Sequence, residues 1–310
     1  MELNENARID TSQVEDRRGS PGGGGGLGGG GIPIPIPTGG GKGGLIITLI
    51  IVVVSLLLGG GFGLNALNDD QGGQGTDAGL EKCEGDNPDL SRRDCRNALF
   101  INSIQAYWQK GLPENFGKQY EQAKTVFFSR GVDTGCGSAD SGVGPFYCPA
   151  DRKVYIDLSF YDLLASRFGA RGEFAQPYIL AHEYGHHVQT LLGTEAQVRR
   201  AQQRDPGNAN RYSVMMELQA DCYSGVWAHH ATKTTDAGGQ PLFKSITDED
   251  IAGALEAAAA VGDDAIQGKA GGRIDESKFT HGTSAQRQQW FSRGFDTGDP
   301  KQCDTFGNAL

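Results

Sequence analysis

An α+β fold, preceded by a disordered Gly-rich segment and one transmembrane helix, is what this 310-residue sequence predicts. Three observations carry the prediction. Short β-rich runs precede a series of helical patterns, the order of an α+β domain rather than of alternating βα units. Residues 1–44 are polar and then Gly/Pro-rich, "GSPGGGGGLGGGGIPIPIPTGGGKGG", and bury too little apolar surface to offset their ordering entropy. Residues 45–67, "LIITLIIVVVSLLLGGGFGLNAL", carry no charge and reach the roughly 20 residues that a bilayer needs.

Arg8, Arg17, Arg18 and Lys42 precede the apolar stretch, and Asp69 and Asp70 follow it. The positive-inside rule then puts residues 1–44 in the cytoplasm and the chain after the span outside. A cleaved signal peptide is the rival reading, but its apolar region would begin more than forty residues in, which is late. A buried soluble helix suits the glycine-rich flanks poorly. Residues 68–79 read as a linker, and residues 80–310 are enough for one domain. The formal net charge of −10, without a basic stripe, excludes nucleic acid as a partner. It would favour basic substrates only weakly, since net charge says little about a cleft.

Within the domain, "DLSRRDCRNALFINSIQAYWQKG" is amphipathic, with Asp89 or Ser91 as N-cap and Gly111 as stop. "KTVFFSRG", "FYC" and "KVYIDLSF" read as strands, and "CPADRK" as the hairpin turn between the last two. "SFYDLLASRFG" turns helical. "YILAHEYGHHVQTLLG" is a helix whose apolar face is Leu180, Tyr184, Val188 and Leu191, with Pro177 in its first turn. "RYSVMMELQADCYSGVWAHH" is another, "ITDEDIAGALEAAAAVG" starts at a capping box on Thr247, and "TSAQRQQWFSRGF" is the last.

Six cysteines follow the apolar stretch: Cys83, Cys95, Cys136, Cys148, Cys222 and Cys303. An even set confined to the expected exterior reads as disulfides. Local closure favours Cys83–Cys95 and Cys136–Cys148, which leaves Cys222–Cys303, although six cysteines allow about 15 pairings. A thiolate metal site is the alternative, weakened by the absence of a CxxC pair.

The chemistry concentrates in "HEYGH". His182 and His186 are four residues apart, one helical turn on one face, and two imidazoles at that spacing can hold one tetrahedral Zn²⁺. Glu183 would then face the attacking water as general base, the logic of the HExxH signature. A catalytic zinc wants a third protein ligand. In "MELQAD", Glu217 can complete a His₂Glu set, and Asp221, four residues on, can accept from the far nitrogen of His182. His187 points about 100° away from His186 and reads as packing or a hydrogen bond. His229 and His230 close a helix and read as structural.

HExxH followed by ExxxD resembles a gluzincin metallopeptidase. The fuller pattern runs through "GPFYCPADRKVYIDLSFY", "AHEYGHHVQ", "ELQADCYSGVWA" and "THGTSAQRQQWFSRGFDTGDPKQCDTF". It is similar to the neutral zinc metallopeptidase family of YpfJ-like bacterial membrane proteins. The resemblance implies a zincin-like domain with a small sheet and an active-site helix, Zn²⁺ as cofactor, a peptide or protein substrate and a place in the bacterial inner membrane. "FTHGTSAQR" is also similar to the Thr-His-Pro…Arg segment of HtpX-like zinc peptidases, with Gly282 where those have proline. That likeness gives His281 a catalytic role, as donor to the oxyanion.

Two functions are therefore expected. One is a membrane-anchored zinc endopeptidase, with its catalytic domain periplasmic or extracellular and substrate lying along "KVYIDL" as an edge strand. The other is a non-catalytic, zinc-stabilised envelope scaffold. Glu183 separates them, because a structural zinc needs no carboxylate there.

Overall fold

A computed structural model describes residues 1–19 and 79–310, apart from residues 86, 272 and 308. The architecture is α+β. A four-stranded sheet runs in the order β2 (Val14–Asp16), β3 (Thr125–Phe127), β7 (Lys153–Ile156), β6 (Phe146–Cys148). The first two pairings are parallel and the last, the "CPADRK" hairpin, is antiparallel. The hairpin β4 (Gly131–Thr134) and β5 (Gly137–Asp140) flanks it. A two-stranded ribbon joins β1 (Glu2–Leu3) to β8 (Phe243–Ser245). "KVYIDL" is thus an inner strand, and the free edge beside the site is β6. Strand order depends on the crossovers between strands, which alternation within one strand does not record.

The helices are α1 (Arg93–Phe116), α2 (Phe160–Leu163), α3 (Ala175–Leu192), α4 (Thr194–Arg204), α5 (Ala209–His230), α6 (Asp248–Ala260), α7 (Asp263–Lys269) and α8 (Ser284–Thr297). Thr247 and Thr283 cap α6 and α8 with reciprocal capping boxes. Helix α1 runs through Gly111 and Pro113 and stops instead at Gly117, whose φ of 65° suits a left-handed cap. The core forms where α1, α3, α5 and the sheet meet, around Trp108, Trp227, Tyr178, Phe174 and Phe291. Three disulfides close the domain: Cys83–Cys95, Cys136–Cys148 and Cys222–Cys303.

The N-terminus corrects the expected organisation. Residues 1–18, taken as part of a disordered segment, supply β1 and β2. Asn102 fastens the segment between them, donating to Asp10 O and accepting from its amide. Arg18 lies over the Phe127 ring and bridges Asp16 and Asp94. The periodicity argument missed this because the paired strands are two and three residues long, too short for a period to show.

A single crossing between residues 18 and 80 would leave β2 and β3 on opposite faces of a bilayer, yet they are hydrogen-bonded neighbours in one sheet. Among the described residues no helix is long and apolar enough to cross a membrane. The expected transmembrane helix and the single-pass inner-membrane placement, with the N-terminus inside and the domain outside, are therefore corrected. The stretch 45–67 itself lies outside the described residues.

Deleting residues 1–18 strips β2 from the sheet and leaves the edge of β3 unpaired. Such a truncation is expected to lose about 1–3 kcal/mol in denaturant unfolding. An unchanged midpoint would show that the segment contributes nothing to the fold.

Candidate metal and catalytic site

Helix α3 is buried along most of its length. Tyr184 turns into the core, where its hydroxyl meets Thr125 Oγ1 at 2.9 Å. The opposite face carries His182 and His186. Gly185 lies between them, and a Cβ there would stand 3.0 Å from both Cα and O of Ala220. Glycine thus lets α3 and α5 run nearly in backbone contact. That approach brings Glu217 up to both imidazoles: Oε2 is 3.2 Å from His182 Nε2, and Oε1 is 3.4 Å from His186 Nε2.

Each far ring nitrogen has an oxygen partner. Asp221 Oδ1 lies 2.8 Å from His182 Nδ1, and Gln189 Oε1 lies 2.9 Å from His186 Nδ1. Gln189 is held in turn, donating to Met216 O and Gln219 Oε1. Asp221 is fully buried and receives Tyr178 Oη at 2.7 Å, with Arg287 Nε and Nη2 at 2.8 and 2.9 Å. Burial opposes the charge of Asp221, but Arg287 and His182 overcome it and hold the carboxyl at about 2.

The donor set fits zinc. Ligand atoms about 2.0–2.1 Å from a tetrahedral ion stand roughly 3.4 Å apart, close to the two separations that Glu217 makes. His182, His186 and Glu217 present ligand atoms all within 4.8 Å of one another, and all three residues are buried. Without the ion, protons do the neutralising. Burial works against a charged His182, but Asp221 and Glu217 raise it to about 10. Burial likewise disfavours a charged His186, and Glu217 reverses that. Cys83, Asp94 and Cys95 also cluster, but both sulfurs are spent in a disulfide and offer no thiolate.

Glu183 lines the same cleft. Burial pushes its carboxyl up, while the neighbouring imidazoles and the Tyr147 amide pull down and Glu217 adds to the rise. Its Oε2 is buried without a hydrogen-bond partner among the described residues, the state expected of an oxygen whose partner is a water or a substrate proton.

His281 lines the same cleft. Asp263, which the sequence reading did not single out, holds it. Asp263 Oδ1 is 3.1 Å from His281 Nδ1, and Oδ2 accepts the amides of Thr280, His281 and Gly282 at 2.7, 2.6 and 2.9 Å. Gly282 sits at φ +89°. Proline is fixed near −65°, so this backbone cannot be that of a Thr-His-Pro segment.

His187 stays off the site, between Tyr147 Oη and Glu121 O; burial lowers it to about 4. His229 and His230 meet the carbonyls of Phe295 and Gly298 at the end of α5. Tyr178 and Gln189 were legible in principle, at i−4 from His182 and i+3 from His186. Asp263 had no such signal, being 18 residues from its partner.

A buried helix carrying two histidines, with a glutamate from a second helix, offers the donor set that a metal centre of the gluzincin type uses. The family comparison agrees: residues 3–306 match the model described as "Putative neutral zinc metallopeptidase", and the chain belongs to that family. It is 42% identical over 304 residues to "Uncharacterized protein YpfJ" of Escherichia coli (strain K12), covering 98% of each chain. It is 49% identical over 217 residues to "Uncharacterized protein Rv2575" of Mycobacterium tuberculosis, covering 69% of this chain and 71% of the relative. No solved structure gives a significant match. Membership of the family implies zinc.

The protonated His182 sets a pH dependence. Below about 10, zinc binding displaces its proton, so apparent affinity rises with pH, by about tenfold per unit for each proton released. Chelator competition at about pH 6 and pH 8 is expected to show tighter binding at the higher pH; equal affinities would mean that no proton is displaced.

Proposed function

We propose that the protein is a zinc-dependent endopeptidase. The observation that carries the reading is the buried Glu183, with one unpartnered oxygen, beside the His182–His186–Glu217 donor set. A zinc site that only held the fold would have no use for this carboxylate, and the desolvation it suffers would be an uncompensated cost. Bound by the three donors, zinc would act as a Lewis acid on the scissile carbonyl and lower the pKa of a water to around 7.

The chain's own residues supply the remaining steps. Glu183 takes a proton from the attacking water as the new C–O bond forms. It later passes that proton to the leaving amine as the C–N bond breaks. Burial suits it to both, since a raised carboxyl pKa brings base and acid strengths closer to neutrality. His281 donates from Nε2 to the carbonyl oxygen as negative charge collects there. The Asp263 contact at Nδ1 sets the orientation of the ring. Asp221 and Arg287 orient His182.

Glu183→Gln keeps the shape and removes the base. The variant is expected to retain zinc and lose at least about 10³-fold in kcat on a denatured protein substrate. Equal turnover in wild type and variant, on a substrate the wild type demonstrably cleaves, would reject the mechanism.

His281→Ala is expected to lower kcat about 10²–10³-fold with zinc content unchanged. Asp263→Asn, which weakens the orientation of His281, should fall between wild type and His281→Ala. Unchanged kcat in His281→Ala would remove the residue from the mechanism, and loss of zinc would make it part of the metal site.

A further inference from the structure

Helix α5 presents two stripes of side chains. Glu217 and Asp221, four residues apart, meet the metal-site histidines. Met216, Gln219 and Cys222, spaced three apart, meet the C-terminal segment instead. There Cys222 is bonded to Cys303, Thr305 Oγ1 donates to Met215 O at 2.6 Å, and Phe306 packs with Met216 and Val198. A line of amides starts in this second stripe and ends on a metal-site histidine. Gln219 Nε2 donates to Cys303 O at 2.9 Å. Gln189 Nε2 donates to Gln219 Oε1 at 3.1 Å and to Met216 O at 2.8 Å. Gln189 Oε1 lies 2.9 Å from His186 Nδ1. Both glutamines are buried, so neither amide can turn to bulk water for other partners.

The direction of this line is fixed from its far end. A backbone carbonyl can only accept a hydrogen bond. Cys303 O therefore takes the NH₂ of Gln219, which turns Gln219 Oε1 toward Gln189. Met216 O and Gln219 Oε1 then both take the NH₂ of Gln189, which turns Gln189 Oε1 toward His186. That oxygen also only accepts, so His186 carries a hydrogen on Nδ1 and keeps Nε2 for the metal. Reversing Gln189 would set its oxygen against Met216 O and Gln219 Oε1, with buried groups left unsatisfied on both sides. His182 reaches the same state through the Asp221 carboxylate. His186 reaches it through neutral amides, whose orientation depends on a carbonyl of the C-terminal segment.

We propose that Gln189 and Gln219 are positioning residues for the metal centre, and that the C-terminal segment, through Cys303 O, sets how firmly His186 holds zinc. The proposal rests on the zinc site described above and not on cleavage of any peptide.

The test measures zinc affinity by chelator competition at one fixed pH, on the full-length protein. Gln189→Met and Gln219→Met keep the length of the side chain and remove its amide. Gln189→Met is expected to weaken zinc binding about 10–100-fold, the scale for losing the partner of a metal-bound histidine. Gln219→Met leaves the Met216 O contact in place and should fall between wild type and Gln189→Met. The double variant should be no weaker than Gln189→Met alone, because Gln219 acts only through Gln189. Unchanged affinity in both single variants, or losses that add in full, would overturn the proposal. So would a loss of affinity matched by an equal loss of stability in the metal-free protein, which would reduce both residues to support of the fold. Nitrogen NMR of histidine-labelled, zinc-loaded wild type asks the question without a substitution. His186 is expected to show a slowly exchanging hydrogen on Nδ1 and the metal on Nε2; the metal on Nδ1 would overturn the proposal. Equal turnover in wild type and Glu183→Gln would reject the peptidase reading alone, since neither measurement depends on cleavage.

Discussion

The site depends on how closely three helix backbones approach one another. At Gly185 the gap between α3 and α5 has no room for a side chain. At Gly225 and Gly294, α5 and α8 are closer still: a Cβ at either would fall 2.0 Å from a backbone oxygen of the other helix, Phe291 O and Cys222 O respectively. The first contact sets the reach of Glu217 to His182 and His186. The second brings the first turn of α8 alongside Asp221, so that Arg287 closes on it with two bonds. Larger residues at these glycines would push the helices apart, and with them the contacts that Glu217 and Arg287 make across the gaps.

Close helices create an electrostatic problem that the side chains then solve. Glu217, Asp221, Glu183, His182, His186 and Arg287 are all buried within a few ångströms. Carboxylates in such surroundings are tolerated only when paired and hydrogen-bonded. Asp221 meets that condition most completely, with bonds to His182, Arg287 and Tyr178, and its pKa is depressed accordingly. Its ionised form fixes the proton of His182 on Nδ1 and turns Nε2 toward Glu217. Cys222, the next residue, is tied to Cys303, and Gln219 on the same helix donates to Cys303 O. The helix that carries Glu217 and Asp221 is thus held by covalent and polar links to the C-terminal segment.

The legible part of the site was the part written in helical period. His182, Glu183 and His186 sit one turn apart, as do Glu217 and Asp221, and the structure brings those two turns together. The capping box at Thr247 was equally visible, because its partner is three residues away, and the box that Thr283 forms with Gln286 carries the same spacing. What was hidden depends on contacts without a period. Asp263 reaches His281 through three loop amides; Gly185 reads as an unremarkable position within HExxH until the second helix is in place. The strands near the N-terminus pair with partners more than a hundred residues distant, and a short polar stretch before a glycine run looks like a tail. The inner place of β7 and the edge place of β6 follow from topology, which single-strand patterns do not contain.

Edge strand β6 adds one further constraint on the base. Tyr147 meets α3 through its hydroxyl, 3.0 Å from His187 Nδ1, while His187 Nε2 meets Glu121 O at 2.6 Å; its amide also helps to lower the Glu183 carboxyl against the pull of burial. The second histidine of "HH" therefore has its own task, seating the sheet edge on the helix four residues after the base. Burial keeps His187 neutral near pH 7, so one ring nitrogen donates to Glu121 O and the other accepts from Tyr147 Oη. Beside this seam Glu183 stays buried, with its Oε2 unpartnered among the described residues. A buried carboxylate with an unsatisfied oxygen cannot be justified by stability, because the desolvation of the unpaired oxygen is a cost to the fold. Local rules are broken in this way where a structure serves chemistry, and here the break falls on the one acidic residue of the motif that the donor set does not use.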